Sequence, residues 1–217
     1  MFNKSIIALL SLFVIFASSS AYGQHTTNYN LAKLLKANKL DTSNAHQTVV
    51  SDTAKKGAIT TNGFVWLTGV NFKEGTIDVD LRGKDVFLKS FLGIAFHAKD
   101  TANYELVFFR PFRFHSADTA TRNWSVQYVS SPGYDYDVLR KAHPGVYEHK
   151  ATPAPVANEW FHATIVVKDS WITVYINHSA TASMQVKKLN SLEEGRIALW
   201  DYSPGVSGDF ANLSVTQ

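Results

Sequence analysis

Apolar and polar residues alternate along much of the chain with a period of two. The cleanest case is residues 75–82, where Ile77, Val79 and Leu81 point one way and Asp78, Asp80 and Arg82 the other. Such alternation predicts a β-strand with one buried face. Residues 92–97 follow the same rule, with Leu92, Ile94 and Phe96 on one side and Gly93, Ala95 and His97 on a slimmer opposite side. The polar stretch 99–103 turns the chain, and 104–109 returns it as the second strand of a hairpin. Further strands are expected at 59–67, 124–129, 196–200 and 210–215, with a second hairpin at 161–167 and 171–177 around Lys168, Asp169 and Ser170. Residues 29–40 read two ways: Leu31, Leu34 and Leu35 have helical spacing, yet an irregular lead-in strand fits equally.

Many short strands with turn residues between them and little helix predict an all-β protein, a two-sheet antiparallel β-sandwich of jelly-roll type. No internal repeat is visible, and a boundary at the Pro-containing stretch 151–155 would require the β-rich segment on each side to form a separate small core. The expected organisation is therefore one sandwich over residues 49–217 with a lead-in segment over 24–48. The connection 130–158 is read as a long loop across the sandwich, a length at which loops often carry function. Residues 1–23 have the form of an export signal: Lys4 supplies the positive start, 6–17 the apolar stretch, and Ala21 and Gly23 small residues suited to cleavage. The apolar stretch is shorter than the ~20 residues a membrane span needs. The expectation is an exported chain starting at Gln24, periplasmic or extracellular, with no membrane attachment after cleavage.

Composition narrows the chemistry. There is no cysteine, which excludes disulfides, thiolate metal sites, cysteine nucleophiles and a lipidated N-terminal cysteine. The formal net charge is only +3 and the basic residues are scattered, so no nucleic-acid footprint is present. The histidines lack His-x-x-x-His spacing and predict no metal site. Asp209 by itself cannot supply the six or more oxygens of a calcium site, so no cofactor is expected. No nucleophile elbow, phosphate loop or dinucleotide fingerprint occurs. Aromatic residues make up 13% of the chain, enough to serve both a sandwich core and sugar-stacking surfaces.

Three segments carry a resemblance: residues 72–80 (FKEGTIDVD), 93–97 (GIAFH) and 103–111 (NYELVFFRP). Together with 195–200 (GRIALW) and 208–213 (GDFANL), they resemble the concanavalin A-like lectin/glucanase superfamily. The resemblance is greatest to secreted bacterial domains of the 3-keto-disaccharide hydrolase group and to family 16 glucanases. It implies two antiparallel sheets with sugar bound on the concave one. Family 16 glucanases carry Glu-x-Asp-x-x-Glu on one strand; here those positions are Glu105, Val107 and Arg110, and only the first is acidic. The 3-keto-disaccharide hydrolase group tends to carry Tyr-Glu-x-Gln followed by an acid. Tyr104 and Glu105 match that pattern, whereas Val107 and Arg110 depart from it.

Glycoside hydrolysis ordinarily needs two carboxyl groups flanking the bond. Glu105 is the first candidate for catalysis, and its partner would be Asp78 or Asp80, or else Asp135, Asp137 or Glu148 from the long connection. His97 and Glu105 are expected to face each other across the hairpin, as catalytic partners, as sugar ligands, or as a solvated cross-strand pair. Arg110 offers a fork of donors for a hydroxyl or carboxylate, or closes an ion pair where Pro111 ends the strand. Gln127 suits hydroxyl recognition, and Trp200 suits stacking, because Ile197 and Leu199 take the other face of its strand. Three functions follow. The first is glycan binding on the concave sheet through His97, Glu105, Arg110, Gln127 and Trp200. The others are hydrolysis with Glu105 as base or nucleophile, and a structural or partner-binding module. The expected partner is an oligo- or polysaccharide; oligomeric state has no signature in the sequence.

Overall fold

A computed structural model describes residues 23–53 and 55–217. The export signal expected over residues 1–23 lies outside the described residues but for Gly23. No described helix is long and apolar enough to cross a membrane.

Among the described residues, thirteen strands form two antiparallel layers. The front layer has the order β2 (Leu40–Val50), β3 (Ile59–Leu67), β12 (Arg196–Asp201), β5 (Leu92–Ala98), β6 (Tyr104–Phe109), β7 (Val126–Ser131) and β8 (Glu148–His149). The back layer has the order β11 (Met184–Lys187), β10 (Trp171–Ile176), β9 (Phe161–Lys168), β4 (Gly75–Arg82) and β13 (Gly208–Thr216), with β1 (Thr26–Tyr29) added on β13. The layers join at one corner. There the start of β13 pairs with β3 through Phe210 and Ile59, and with β4 through Phe210 and Leu81. Past this corner β3 exchanges its neighbour, pairing with β12 from Gly63 onward. Gly63 has φ +108, and a Cβ there would lie 2.5 Å from the carbonyl oxygen of Asn44, so the crossing needs glycine.

The alternation read from the sequence places the core. Ile77, Val79 and Leu81 of β4 meet Leu92, Ile94 and Phe96 of β5, with Val107 and Phe109 of β6, all fully buried between the layers. Removing such side chains from water is the main stabilising term, at about 1.5–3 kcal/mol for each fully buried Leu, Ile or Phe.

The lead-in region is both strand and helix. Residues 26–29 pair with β13, residues 40–50 pair with β3, and between them lies α1 (Leu31–Lys36). Asn30 caps α1 by accepting a hydrogen bond from the Lys33 amide, and Leu31 and Ala32 are its buried face.

A second apolar cluster covers the outer face of the front layer. Trp66, Ala95, Leu106, Phe108, Val129 and Ala198 pack there under Leu139, the buried residue of a second helix, α2 (Tyr136–Ala142). The connection read as a loop over 130–158 therefore contains a helix and the short strand β8. Its helix covers the outer face of the front layer while the back layer covers the inner one, and every residue of β5 is buried.

Candidate functional site

The hairpin of β5 and β6 carries polar residues to two sides of the front layer. His97 departs from simple alternation. Ala95 pairs with Ala198 and Ala98 with Arg196, so β5 has one residue more than β12 opposite. His97 takes the left-handed conformation at φ 48 in this bulge, and its ring turns inward to stack on Phe72. The ring Nε2–H donates to the Lys73 carbonyl at 2.7 Å, and one proton lies between Nδ1 and Glu105 Oε2 at 2.5 Å. Tyr128 donates its hydroxyl to the other oxygen, Oε1 of Glu105. Burial, and then the Glu105 carboxyl beside it, push the Tyr128 hydroxyl pKa upward.

Glu105 is thus fully buried between the layers with both oxygens taken. A saccharide on either outer face cannot reach it. Asp78 and Asp80 are not its partners either, because they point outward from the back layer, opposite in direction to Ile77, Val79 and Leu81. The expected pair of carboxyls flanking one bond is not assembled from these residues. His97 likewise lies in the interior instead of on a sugar-binding sheet face.

Asp78 and Asp80 belong to a different cluster, built across β4 and β9. His162 donates from Nδ1 to Asp80 at 2.8 Å and from Nε2 to Asp78 at 3.1 Å. Lys55 and Asn212 also donate to Asp80, Thr164 donates to Asp78, and His178 stacks on His162 at 4.0 Å between ring centroids. Burial opposes charge on Asp80, but the hydrogen bonds from His162 and Lys55 outweigh it and bring its pKa down to about 2. The same bonds overcome the effect of burial on His162 and lift it to about 9. This is an ion network on a sheet surface. Among the described residues, no group of three or more His, Asp and Glu is placed to hold a metal ion.

Arg110 and Trp200 meet on the outer face of the front layer, in a cleft of about 450 Å³. Leu106, Phe108, Val129 and Trp200 make its floor, and Phe91 and Tyr202 stand on one side. The opposite wall comes from Asp135, Tyr136 and Arg140 around α2, with Arg113 and Trp124 at the end near Arg110. Trp200 is partly exposed; its ring stacks nearly parallel to that of Tyr202 (19° between planes), and Tyr202 itself is 63% exposed. Flat, amphipathic rings of this kind present a surface suited to the C–H face of a sugar.

Arg110 is buried behind this surface. Its Nη1 donates to the Trp124 carbonyl at 2.7 Å and its Nη2 to Gln127 Oε1 at 2.6 Å, while the guanidinium lies 4.6 Å from the centre of the Phe108 ring. Burial, together with the nearby Arg140 cation, brings its pKa down to about 9 against the opposing effect of Glu148. Gln127 does not line the cleft; it is fully buried, positions Arg110 with its oxygen, and leaves its Nε2 without a hydrogen-bond partner. Arg113 donates to the Thr121 hydroxyl at 2.9 Å, and Arg140 grips both oxygens of Glu148. Asp135 also lines the cleft and, after burial, is the main influence raising the Tyr104 pKa.

Arg113, Arg140, Trp124 and Tyr202 were not singled out from the sequence as site residues. For Arg113 a signal existed: Pro111 stops β6, and the tight turn Pro111–Arg113 swings the next arginine back beside Arg110. For Arg140 there was none, because α2 buries only Leu139 and so has no apolar periodicity to read.

Two antiparallel layers with an aromatic cleft on the outer face of one define a concanavalin A-like jelly roll of the lectin/glucanase type. The chain belongs to the 3-keto-alpha-glucoside-1,2-lyase-like domain family, whose model matches residues 24–216. None of the curated proteins matches it. Among solved structures it is similar to a protein of unknown function with a galectin-like fold from Bacillus subtilis (TM-score 0.59, 12% identity, covering 88% of this chain and 94% of that one). It is also similar to the carbohydrate-binding module CBM66 from Bacillus subtilis (TM-score 0.56, 13% identity, 82% and 95%). A third similarity is to the exoplasmic/lumenal domain of VIP36 in its Ca2+/Man3GlcNAc-bound form (TM-score 0.52, 9% identity, 89% and 90%). At these identities the likeness is one of fold.

Proposed function

We propose that the chain is an exported carbohydrate-binding sandwich that takes a glycan into the cleft on the outer face of its front layer. The observation that carries this reading is the open pair of stacked rings, Trp200 and Tyr202, beside guanidinium donors fixed by Arg110 and Arg113. Stacking rings provide a platform, and rigid donors fix the orientation of hydroxyls; a sugar site needs both. The character of the family, and the sugar-related CBM66 and VIP36 domains of similar fold, agree with this reading. The export signal read from residues 1–23 would place the site where environmental glycans are met.

The test is a glycan array followed by calorimetric titration of each hit. Trp200→Ala is expected to weaken binding by at least about tenfold, roughly 1.4 kcal/mol, while the fold is retained. Absence of any glycan ligand, or full affinity in the Trp200→Ala protein, would overturn the reading.

A second reading, bond cleavage, is favoured by one observation: Asp135 brings an acidic group to the cleft wall. Glu105 plays no part in it, being sealed in the core. Under this reading Asp135→Asn keeps glycan affinity and abolishes product formation in a chromatographic turnover assay. Unchanged turnover in that protein removes Asp135 as the catalytic group.

A further inference from the structure

Two of the cleft's cations, Arg110 and Arg113, have no ion-pair partner among the described residues. Arg110 is only 6% exposed, yet its two hydrogen-bond acceptors, the Trp124 carbonyl and the Gln127 amide oxygen, are both neutral. The acceptor of Arg113 is the neutral hydroxyl of Thr121. Neither arginine belongs to an ion pair among the described residues. The nearest buried carboxylate, Glu148, is committed to Arg140 through both of its oxygens. Of the charged residues in the lining, three are cations (Arg110, Arg113 and Arg140) and one, Asp135, is an anion.

Burying a charge without a counter-charge is costly, and native proteins pair such groups or leave them for a ligand to pair. A guanidinium placed over an aromatic ring, with only neutral hydrogen-bond acceptors, leaves its charge available to an incoming oxyanion. Arg110 lies against Phe108 in this way, and Arg113 lies near the rings of Phe112 and Trp124. The rings of Trp200 and Tyr202 on the same floor supply the sugar-stacking half of the site.

We infer that the cleft selects an acidic glycan, a saccharide whose carboxylate or sulfate oxygens meet Arg113 and the field of Arg110 while its ring stacks on Trp200. This deepens, and rests on, the reading of the cleft as a carbohydrate site. Neutral saccharides would stack on the same floor and offer the two arginines only hydroxyl oxygens, with no opposite charge.

The experiment compares three probes by titration: an oligogalacturonate, the same oligomer methyl-esterified, and a sulfated galactan oligosaccharide. Binding of one or both acidic probes at least about tenfold tighter than the ester, weakening as salt is raised, is the expected result. A preference between the two acidic probes identifies the oxyanion. Arg113→Gln is the chosen variant, since Arg110 is buried and its loss could unfold the chain. Arg113→Gln is expected to reduce acidic-probe affinity about tenfold and ester affinity by a clearly smaller factor, so that the acid-to-ester preference falls. Equal affinity for acid and ester, or acid binding indifferent to Arg113→Gln, overturns the inference while leaving the carbohydrate reading intact. Failure of all three probes, with a neutral glycan found on the array, likewise removes acid selectivity alone; failure of every glycan removes both.

Discussion

Glu105 and Arg110 stand at opposite ends of one strand and show two ways of placing a charged residue in an apolar layer. Glu105 points inward. Both its oxygens are paired, to His97 and to Tyr128, and the group is shut off from solvent. Arg110 points outward, lies almost as deep, and has only neutral acceptors beside a cleft. The first arrangement is complete within the chain. The second is complete only with something added. A buried polar group therefore signals function less by its depth than by what its partners leave unmatched.

The comparison breaks most readily at Glu105. Glu105→Ala strips a fully buried group from two partners and is expected to cost roughly 3–5 kcal/mol in urea unfolding. The protein that remains folded should bind glycan within about twofold of the original, as expected for a residue with no access to the cleft. A large loss of affinity at intact stability would place Glu105 in the site after all. Gln127→Met tests the other side with a smaller effect. It removes both the acceptor that positions Arg110 and an amide nitrogen that has no partner, so stability should change by less than about 1 kcal/mol. Affinity for the glycan should nevertheless fall about tenfold, because Arg110 is no longer held. Unaltered affinity would show that Arg110 needs no such support.

The back-layer network gives the smallest effect on glycan affinity and serves as a control. His162 is raised from 6.5 to about 9, so its contribution is complete below pH 6.5 and is lost as pH rises through about 9. Asp80 is lowered from 3.8 to about 2, so its contribution is complete above pH 3.8 and is lost as pH falls toward 2. Stability from this cluster is therefore greatest between about pH 4 and 6.5. His162→Asn should flatten the alkaline limb and cost on the order of 1–2 kcal/mol at pH 6, reduced by partial solvent screening. Calorimetric melting across pH measures this, and glycan affinity should be unaffected, since the two outer faces share no residue. An alkaline limb that survives His162→Asn would assign it to another group.

The strands and their faces were legible because alternation is a local property. Ile77, Val79 and Leu81, or Leu92, Ile94 and Phe96, mark the core whatever the rest of the chain does. The candidate site was less legible, for three physical reasons. Alternation assigns His97 to the outer face, but one inserted residue in β5 reverses it, and sequence carries no mark of that bulge. Glu105 was rightly placed near His97, yet β6 is buried on both faces, and an apolar strand does not disclose which face its one acid occupies. Asp78 and Asp80 share a strand pattern with no indication of which layer it joins. Trp200 could be assigned to the outer face because Ile197 and Leu199 take the other side of its strand; the face of Arg110 carries no such mark, nor do α2 and Arg140, since Leu139 alone anchors that helix.

The wall over the front layer has a consequence for how this protein can change. Residues 132–147 make a single excursion between β7 and β8, held down by Leu139 and, through Arg140, by the ion pair to Glu148. They supply Asp135, Tyr136 and Arg140 to the cleft and contribute only partly buried Tyr147 to packing against the core between the layers. Ligand preference and foldedness are thus written in largely separate stretches of sequence. Exchanging this one excursion for another of different charge would retune what the cleft accepts while the sandwich beneath keeps its shape, making the segment the natural unit for grafting new specificities.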